Sequence, residues 1–338
     1  MRLSCGRSAT NKRQFCSPPT RGPADTTKVS RSMSPTILLR RTALAALALL
    51  ALMAATFFLV RLTGDPVNLY LPVDASQAAR DAMRVQLGLD RPVALQFLEF
   101  IGNVLRLDFG TSLWHNRPAM EVVLEALPRT LALGAIALAL AFAISAIVGV
   151  IAAANAGSAV DRVINVVSQA AASVPDFWLG LMCVLVFAVN LRLLPTSGFG
   201  GPAYWVLPVV CLMARPFGML VQIIRGSMIE ALNASYVRTA RAKGAREGRV
   251  GFVHALRNAL LPAVTVTGDL AAQFAGGGGV VEVVFGFPGI GKLLIDGILR
   301  RDFAIVQSSI FAVAVVIFLI NILVDILYAT IDPRVRVE

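Results

Sequence analysis

Residues 286–293, Gly286-Phe-Pro-Gly-Ile-Gly291-Lys292-Leu293, come within one side chain of a phosphate-binding loop. That motif, G-x-x-x-x-G-K-[ST], wraps backbone amides around a phosphate, neutralises it with lysine and holds magnesium through a hydroxyl. Leu293 stands where the hydroxyl is required, so nucleotide binding is not expected, and the glycines with Pro288 are expected to shape a turn instead. Other residues suited to catalysis are sparse. His115 and His254 are the only histidines, and Cys5, Cys16, Cys183 and Cys211 form no C-x-x-C pair. Neither a zinc site nor a redox pair is therefore expected. With no H-E-x-x-H motif and no evident nucleophile–base pair, the chain is expected to carry no catalytic site, metal or cofactor of its own.

Ionisable groups inside long apolar runs are the second kind of candidate. Asp269 and Gln273 interrupt one such run, Asn321 and Asp325 another, and Arg215 a third. A carboxylate at the centre of a bilayer costs roughly 2.5–3.5 kcal/mol on insertion scales, so such groups normally face protein or water. Two roles stay open for Arg215, Asp269, Gln273 and Asp325: helix-packing polar contacts, or the lining of a translocation path.

The elements that must position these residues are membrane helices. Hydrophobic residues make up 57% of the 338, charged residues only 15%, and the mean hydropathy is +0.72. Soluble chains are roughly a quarter charged. A bilayer core needs about 20 apolar residues per helix, and that length fits six stretches: 38–60, 130–154, 164–190, 204–224, 259–281 and 304–329. The expected fold class is an all-α polytopic membrane protein with six transmembrane helices.

Residues 1–32 carry seven basic side chains against Asp25 alone, without apolar periodicity. They read as a disordered basic tail, or as the product of a misplaced start codon ahead of Met33. The net charge of +11 reflects this tail and the short loops of one face, so no nucleic-acid partner is expected.

The run from Arg225 to Pro262 holds seven Lys or Arg residues against Glu230 and Glu247. Basic residues beside a span resist translocation, which puts this loop in the cytoplasm together with both chain ends. Residues 61–128, 191–203 and 282–303 then fall outside. Arg192, Lys292, Arg300 and Arg301 oppose that orientation modestly. The outer segment 61–128 is expected to hold two short helices, the first opened by Asp74 and Gln77 as a capping box. The second starts near Pro92, with Phe97, Ile101, Val104 and Leu105 on one apolar face. The organisation expected is thus a tail over 1–33, a first span, the outer segment, a core over 129–330 containing the cytoplasmic loop 225–258, and a cytoplasmic end over 331–338. The glycine run 276–279 suits close helix packing better than a gate.

Within the basic loop, Asn233 or Ser235 can cap a helix that runs to about Lys243, with Gly244 as a left-handed stop. Tyr236, Ala240 and Gly244 recur four apart, while Arg238 and Arg241 project to another side. Such a helix suits docking into the groove of a soluble partner, and it equally fits a solvated surface helix.

TARAKGA followed by HALRNALLP resembles the cytoplasmic signature loop of ATP-binding-cassette importer permeases, most closely the dipeptide, oligopeptide and nickel branch. The resemblance extends along the chain through GDPV at 64–67, LGLDRP at 87–92, DFGTS at 108–112, LPRTL at 127–131 and SVPDFW at 173–178. It continues through LLPTSG at 193–198, FGFPGIG at 285–291, RRDF at 300–303 and DPRVR at 332–336. In that family the loop forms a coupling helix that inserts into an ATPase subunit. Carried over, the contact residues would be Tyr236, Val237, Arg238, Thr239, Ala240, Arg241, Ala242, Lys243 and Gly244. The general signature opens with Glu-Ala-Ala six residues before the glycine, where this chain has Arg238-Thr239-Ala240. The peptide branch shares that departure, which leaves the usual glutamate contact without a match.

The resemblance implies a permease half working with a second homologous permease, two cytoplasmic ATPases and a periplasmic or lipid-anchored solute-binding protein. Its place would be the bacterial inner membrane, in contact with lipid, and its cargo di- or oligopeptides or a related solute such as nickel. The competing class is an ion-coupled secondary transporter using the intramembrane Asp and Arg residues, but the internal repeats common in such transporters are not visible here.

Overall fold

The computed structural model describes residues 35–62, 67, 76–86, 90–246, 251 and 255–331. The tail, Asp74, Gly88 and residues 332–338 lie outside that set. The described chain is almost wholly helical, with one isolated antiparallel bridge between Thr111 and Pro118.

Helix α1 (Pro35–Leu62) precedes two short helices, α2 (Gln77–Gln86) and α3 (Val93–Leu105). At the start of α2 the Ala79 N–H donates to Ser76 Oγ at 3.3 Å, so Ser76 caps the helix. Phe97 stacks on Phe58 of α1 and meets Phe57 edge-on, and the Phe100 ring centroid lies 5.2 Å from that of Phe57. Val104 is buried, but Leu105 points outward at 81% exposure. At about 100° per residue, Phe97, Phe100 and Val104 share a stripe that Leu105 overshoots.

The core consists of α4 (Ala119–Ala154), α5 (Ala159–Ser173), α6 (Asp176–Cys183, continued by a π-helical turn over Val184–Asn190) and α7 (Ala203–Asn233). It is completed by α8 (Ser235–Ala242), α9 (Leu256–Gly277), α10 (Gly279–Val284), α11 (Ile290–Leu299) and α12 (Phe303–Ile331). The pair α4 and α7 forms the central packing, with α5 and α9 also against α7 and α12 against α9.

Four helices are long and apolar enough to cross a membrane, or five when α5 and α6 count as one bent span. The stretch 259–281, expected as the remaining span, is helical through α9 and into α10 with Gly278 between them, but it is not among those four or five. The stretch 164–190, expected as one continuous helix, bends by 104° between Ser173 and Asp176. The cause is local. Pro175 disfavours the helical region for the residue before it, and Val174 accordingly sits extended at φ −74°, ψ 130°.

Two helices overrun the lengths expected from apolarity. Helix α4 begins at Ala119, eleven residues before the apolar stretch, behind Pro118. Helix α7 runs nine residues past Ile224 to Asn233. Both extensions are rich in Ala, Met, Leu and Glu, which favour helix outside the apolar layer, and they continue through Pro128 in α4 and Gly226 in α7.

Candidate functional site

The short helix α8 follows α7 across one extended residue, Ala234 at φ −70°, ψ 153°. No side chain caps it. Asn233 instead donates from Nδ2 to the Ile229 carbonyl within α7, and Ser235 is already helical. Its C-terminus is closed by backbone hydrogen bonds. The Ala245 N–H donates to Ala240 O and the Gly244 N–H to Arg241 O, with Gly244 at φ +81°. This is the Schellman arrangement, which needs a left-handed residue where glycine stands.

Val237 fixes α8 to the bundle. It is fully buried among Ala153 of α4, Met228 and Ala231 of α7, and Ala255 and Ala259 at the start of α9. Ala240 packs partly against the same cluster. Tyr236 stays 41% exposed, and Arg238, Thr239, Arg241, Ala242, Lys243 and Gly244 are exposed as well. The stripe expected from Tyr236, Ala240 and Gly244 therefore splits, with Ala240 turned inward and the aromatic ring outward among basic residues. Chemically the helix offers a rigid, cationic, one-knob surface.

Near the end of α7 that leads into α8, a side-chain clamp joins α5 to α7. Arg225 donates from Nε to Asp161 Oδ1 at 2.6 Å and from Nη2 to Oδ2 at 2.8 Å. The same carboxylate accepts the Gly157 N–H at 2.9 Å and the Asn165 Nδ2–H at 2.8 Å. Asp161 is buried at the first turn of α5, with Ser158 as N-cap. The Arg225 guanidinium and the Gly157 amide hold its carboxyl well below the usual carboxylate range, and Asp161 in turn raises the guanidinium.

At the opposite end of the bundle, the near-phosphate loop encloses an anion of the chain's own. Glu282 of α10 is fully buried. It accepts the Thr130 hydroxyl of α4 at 2.6 Å and the Lys292 N–H at the start of α11 at 3.0 Å. Thr130 Oγ1 in turn accepts the Ile290 N–H at 2.8 Å. A Cβ at Gly289 would lie 2.2 Å from the Glu282 carboxylate, and one at Gly291 would lie 2.3 Å from Gly279 Cα. The expected turn is present, with Gly286 at φ +60°. Within the run 276–279, Gly279 serves close packing as expected.

A second buried carboxylate, Asp302, accepts the Ser112 hydroxyl at 2.6 Å, which ties DFGTS to RRDF across 190 residues of sequence. It also caps α12 by accepting the Ile305 N–H at 3.3 Å. The Arg300 guanidinium sits 4.7 Å from the centroid of the Trp114 ring. Beside it opens a cleft of about 370 Å³ lined in part by Arg117, Glu125, Arg129 and Lys292.

The path candidates lie on three adjoining helices: Arg215 on α7, Asp269 and Gln273 on α9, and Asp325 on α12. Arg215, Asp269 and Gln273 are exposed on the single chain, and Asp325 is half-buried. Among the described residues no group of three or more His, Cys, Asp or Glu side chains could hold a metal.

Sequence reasoning passed over Asp161, Glu282 and Asp302. Each is a lone acid within a few residues of a quoted motif or helix start, and its partner is remote in sequence. The available signal was the mere presence of an acid next to apolar or glycine-rich runs.

Residues 145–337 match the family model described as the binding-protein-dependent transport system inner membrane component, and residues 35–134 match its N-terminal companion. The oligopeptide transport system permease AppB of Bacillus subtilis is 36% identical over 311 residues, covering 88% of this chain and 98% of AppB. The di/tripeptide permease DppB of Pseudomonas aeruginosa is 37% identical over 313 residues, covering 83% of this chain and 93% of DppB. The solved inward-facing MetNI methionine ABC transporter matches with a TM-score of 0.53 at 17% identity, over 63% of this chain and 97% of that one. That likeness establishes the shared helical fold. The chain belongs to the family of inner-membrane components of binding-protein-dependent transport systems and is a multi-pass permease subunit of such an importer.

Proposed function

We propose that this permease carries di- or oligopeptides and that α8 is the helix its ATPase grips. The single observation carrying the second point is the construction of α8. It is pinned by buried Val237, stopped by Gly244 and turned outward with Tyr236, Arg238, Arg241 and Lys243. A helix so anchored moves with the bundle and can transmit a pull. The peptide class is supported by AppB and DppB, both peptide permeases by name.

The working unit is then this chain, a second homologous permease, two cytoplasmic ATPases and an external solute-binding protein. Both ends of the chain and the loop 225–258 face the cytoplasm, and 61–128 faces outward. Polar Arg215, Asp269 and Gln273 on an exposed face would be costly against lipid, so this face is covered by the sister permease or lines the path between them. Selection of cargo belongs mainly to the binding protein.

The test is Gly244→Asp. The variant inserts and is present at normal levels in the membrane, while peptide uptake is abolished. Normal uptake by that variant removes α8 from the mechanism.

A further inference from the structure

Three contacts join α5 to one face of α7. At the first, a Cβ on Gly218 would lie 2.3 Å from Ser168 O and 2.7 Å from Ala172 N, so the backbones touch there. At the second, Gln222 Nε2 donates to Gln169 Oε1 at 3.2 Å. At the third, Arg225 grips Asp161 with both arms of its fork. Positions 218, 222 and 225 are spaced four and three apart, which aligns them along a single helix face. Their partners run in the reverse order along α5, from Ala172 and Ser168 back to Asp161, so the helices are antiparallel and touch along the whole stretch.

The third contact is the strongest and lies nearest the coupling helix. Arg225 stands eight residues before Asn233, about 12 Å along α7 at 1.5 Å per residue. A bidentate guanidinium–carboxylate pair fixes angle as well as distance. Asp161 is further held by Gly157 and Asn165 and cannot swing to follow a departing partner. Separating the pair would leave a buried carboxylate without its countercharge, which is more costly than sliding two apolar faces. Opening the α5–α7 seam thus carries an electrostatic cost beyond that of parting two packed faces, and α5 leads directly into the bend at Pro175.

We propose that α5 and α7 travel as one body through the transport cycle, with Asp161 and Arg225 as positioning residues that carry the displacement of α8 into the bent α5–α6 span. This rests on α8 being the gripped helix.

The test uses the complete importer in proteoliposomes, with both permeases, both ATPases, the binding protein and a peptide. Gln169→Cys with Gln222→Cys, joined by a short bifunctional thiol reagent, retains transport at the level of the unjoined protein. Loss of transport on joining, with each single-cysteine control unaffected, means that the seam must open, and it overturns the proposal. Asp161→Asn and Arg225→Lys retain ATP hydrolysis but move several-fold less peptide per ATP, and joining positions 169 and 222 restores the ratio in Asp161→Asn. An unchanged ratio in both variants, or no restoration on joining, likewise overturns it. Should Asp161→Asn fail to assemble, Arg225→Lys decides, because it keeps the charge and loses only the fork. If Gly244→Asp abolishes uptake while the clamp variants keep the normal ratio, this inference alone has failed. If Gly244→Asp transports normally, the reading of α8 has failed first.

Discussion

Glu282 illustrates how a single residue can change the meaning of a motif. The loop 286–292 has the glycines and lysine of a phosphate cradle, yet the anion it surrounds is the carboxylate of Glu282, ten residues before Lys292 and delivered by α10. Gly289 is there because any side chain would enter the space of that carboxylate, at 2.2 Å from Oε1. Gly289→Ala should therefore cost stability, and the cost should depend on Glu282. In the Glu282→Ala background the added methyl group meets a vacated space, so the two substitutions should be non-additive by about 0.5–3 kcal/mol, the range seen for residues in contact. Thermal unfolding of the detergent-solubilised complex across the four-member cycle measures this, and strict additivity would show that the carboxylate does not fill the cradle. The same buried group loses its fit in Glu282→Gln, whose amide hydrogens face the Lys292 N–H or the Thr130 hydroxyl as donor against donor, at roughly 1–3 kcal/mol for an unsatisfied buried group.

At the level of the element, α8 was readable in outline before its setting was known. The stop at Gly244 follows from a glycine after a run of helix formers, and the structure supplies the positive φ and both Schellman bonds. The capping residues expected at its start are not used, because Asn233 still belongs to α7, Ser235 already belongs to α8, and the cap position between them falls on Ala234, which has no side-chain acceptor. Since no described residue lies within 4 Å of a Cβ at Gly244, uncharged substitutions there act through backbone strain, whereas Gly244→Asp also adds a negative charge to the basic face of α8. Left-handed backbone costs an L-residue roughly 1–2 kcal/mol, and asparagine tolerates it best. Peptide uptake should accordingly fall in the order Gly244→Asn, Gly244→Ala, Gly244→Val, measured at matched membrane levels. An asparagine variant as defective as the valine variant would instead mean that the partner ATPase requires the empty space itself. The bent span carries the complementary lesson. Hydropathy alone reads 164–190 as one helix because the Ser173–Val174–Pro175 corner is no more polar than its surroundings. Only the rule that a residue before proline avoids helical torsions marks the corner.

For the whole molecule, the proposed orientation rests on where the positive charges collect. Ser235 is exposed at the start of α8, so a Ser235→Cys variant should react with a membrane-impermeant maleimide in inverted vesicles and not in intact cells. Trp114→Cys, at the exposed rim of the cleft beside Arg300, should react in the opposite pattern. Reaction of position 235 from outside would reverse the topology and with it the site of ATPase contact. The amino-acid sequence by itself determined the membrane class, the approximate spans, the basic loop and the left-handed stop at Gly244, because each depends on local composition or on a residue's own backbone preferences. Only the tertiary structure decided that Val237 faces inward and that Asp161 meets Arg225, 64 residues away. It likewise decided that Asp302 joins two motifs 190 residues apart and that Glu282 fills its own glycine cradle. A buried carboxylate must find compensating donors wherever the fold brings them, and pairing at that range is a property of helix packing that no local pattern records.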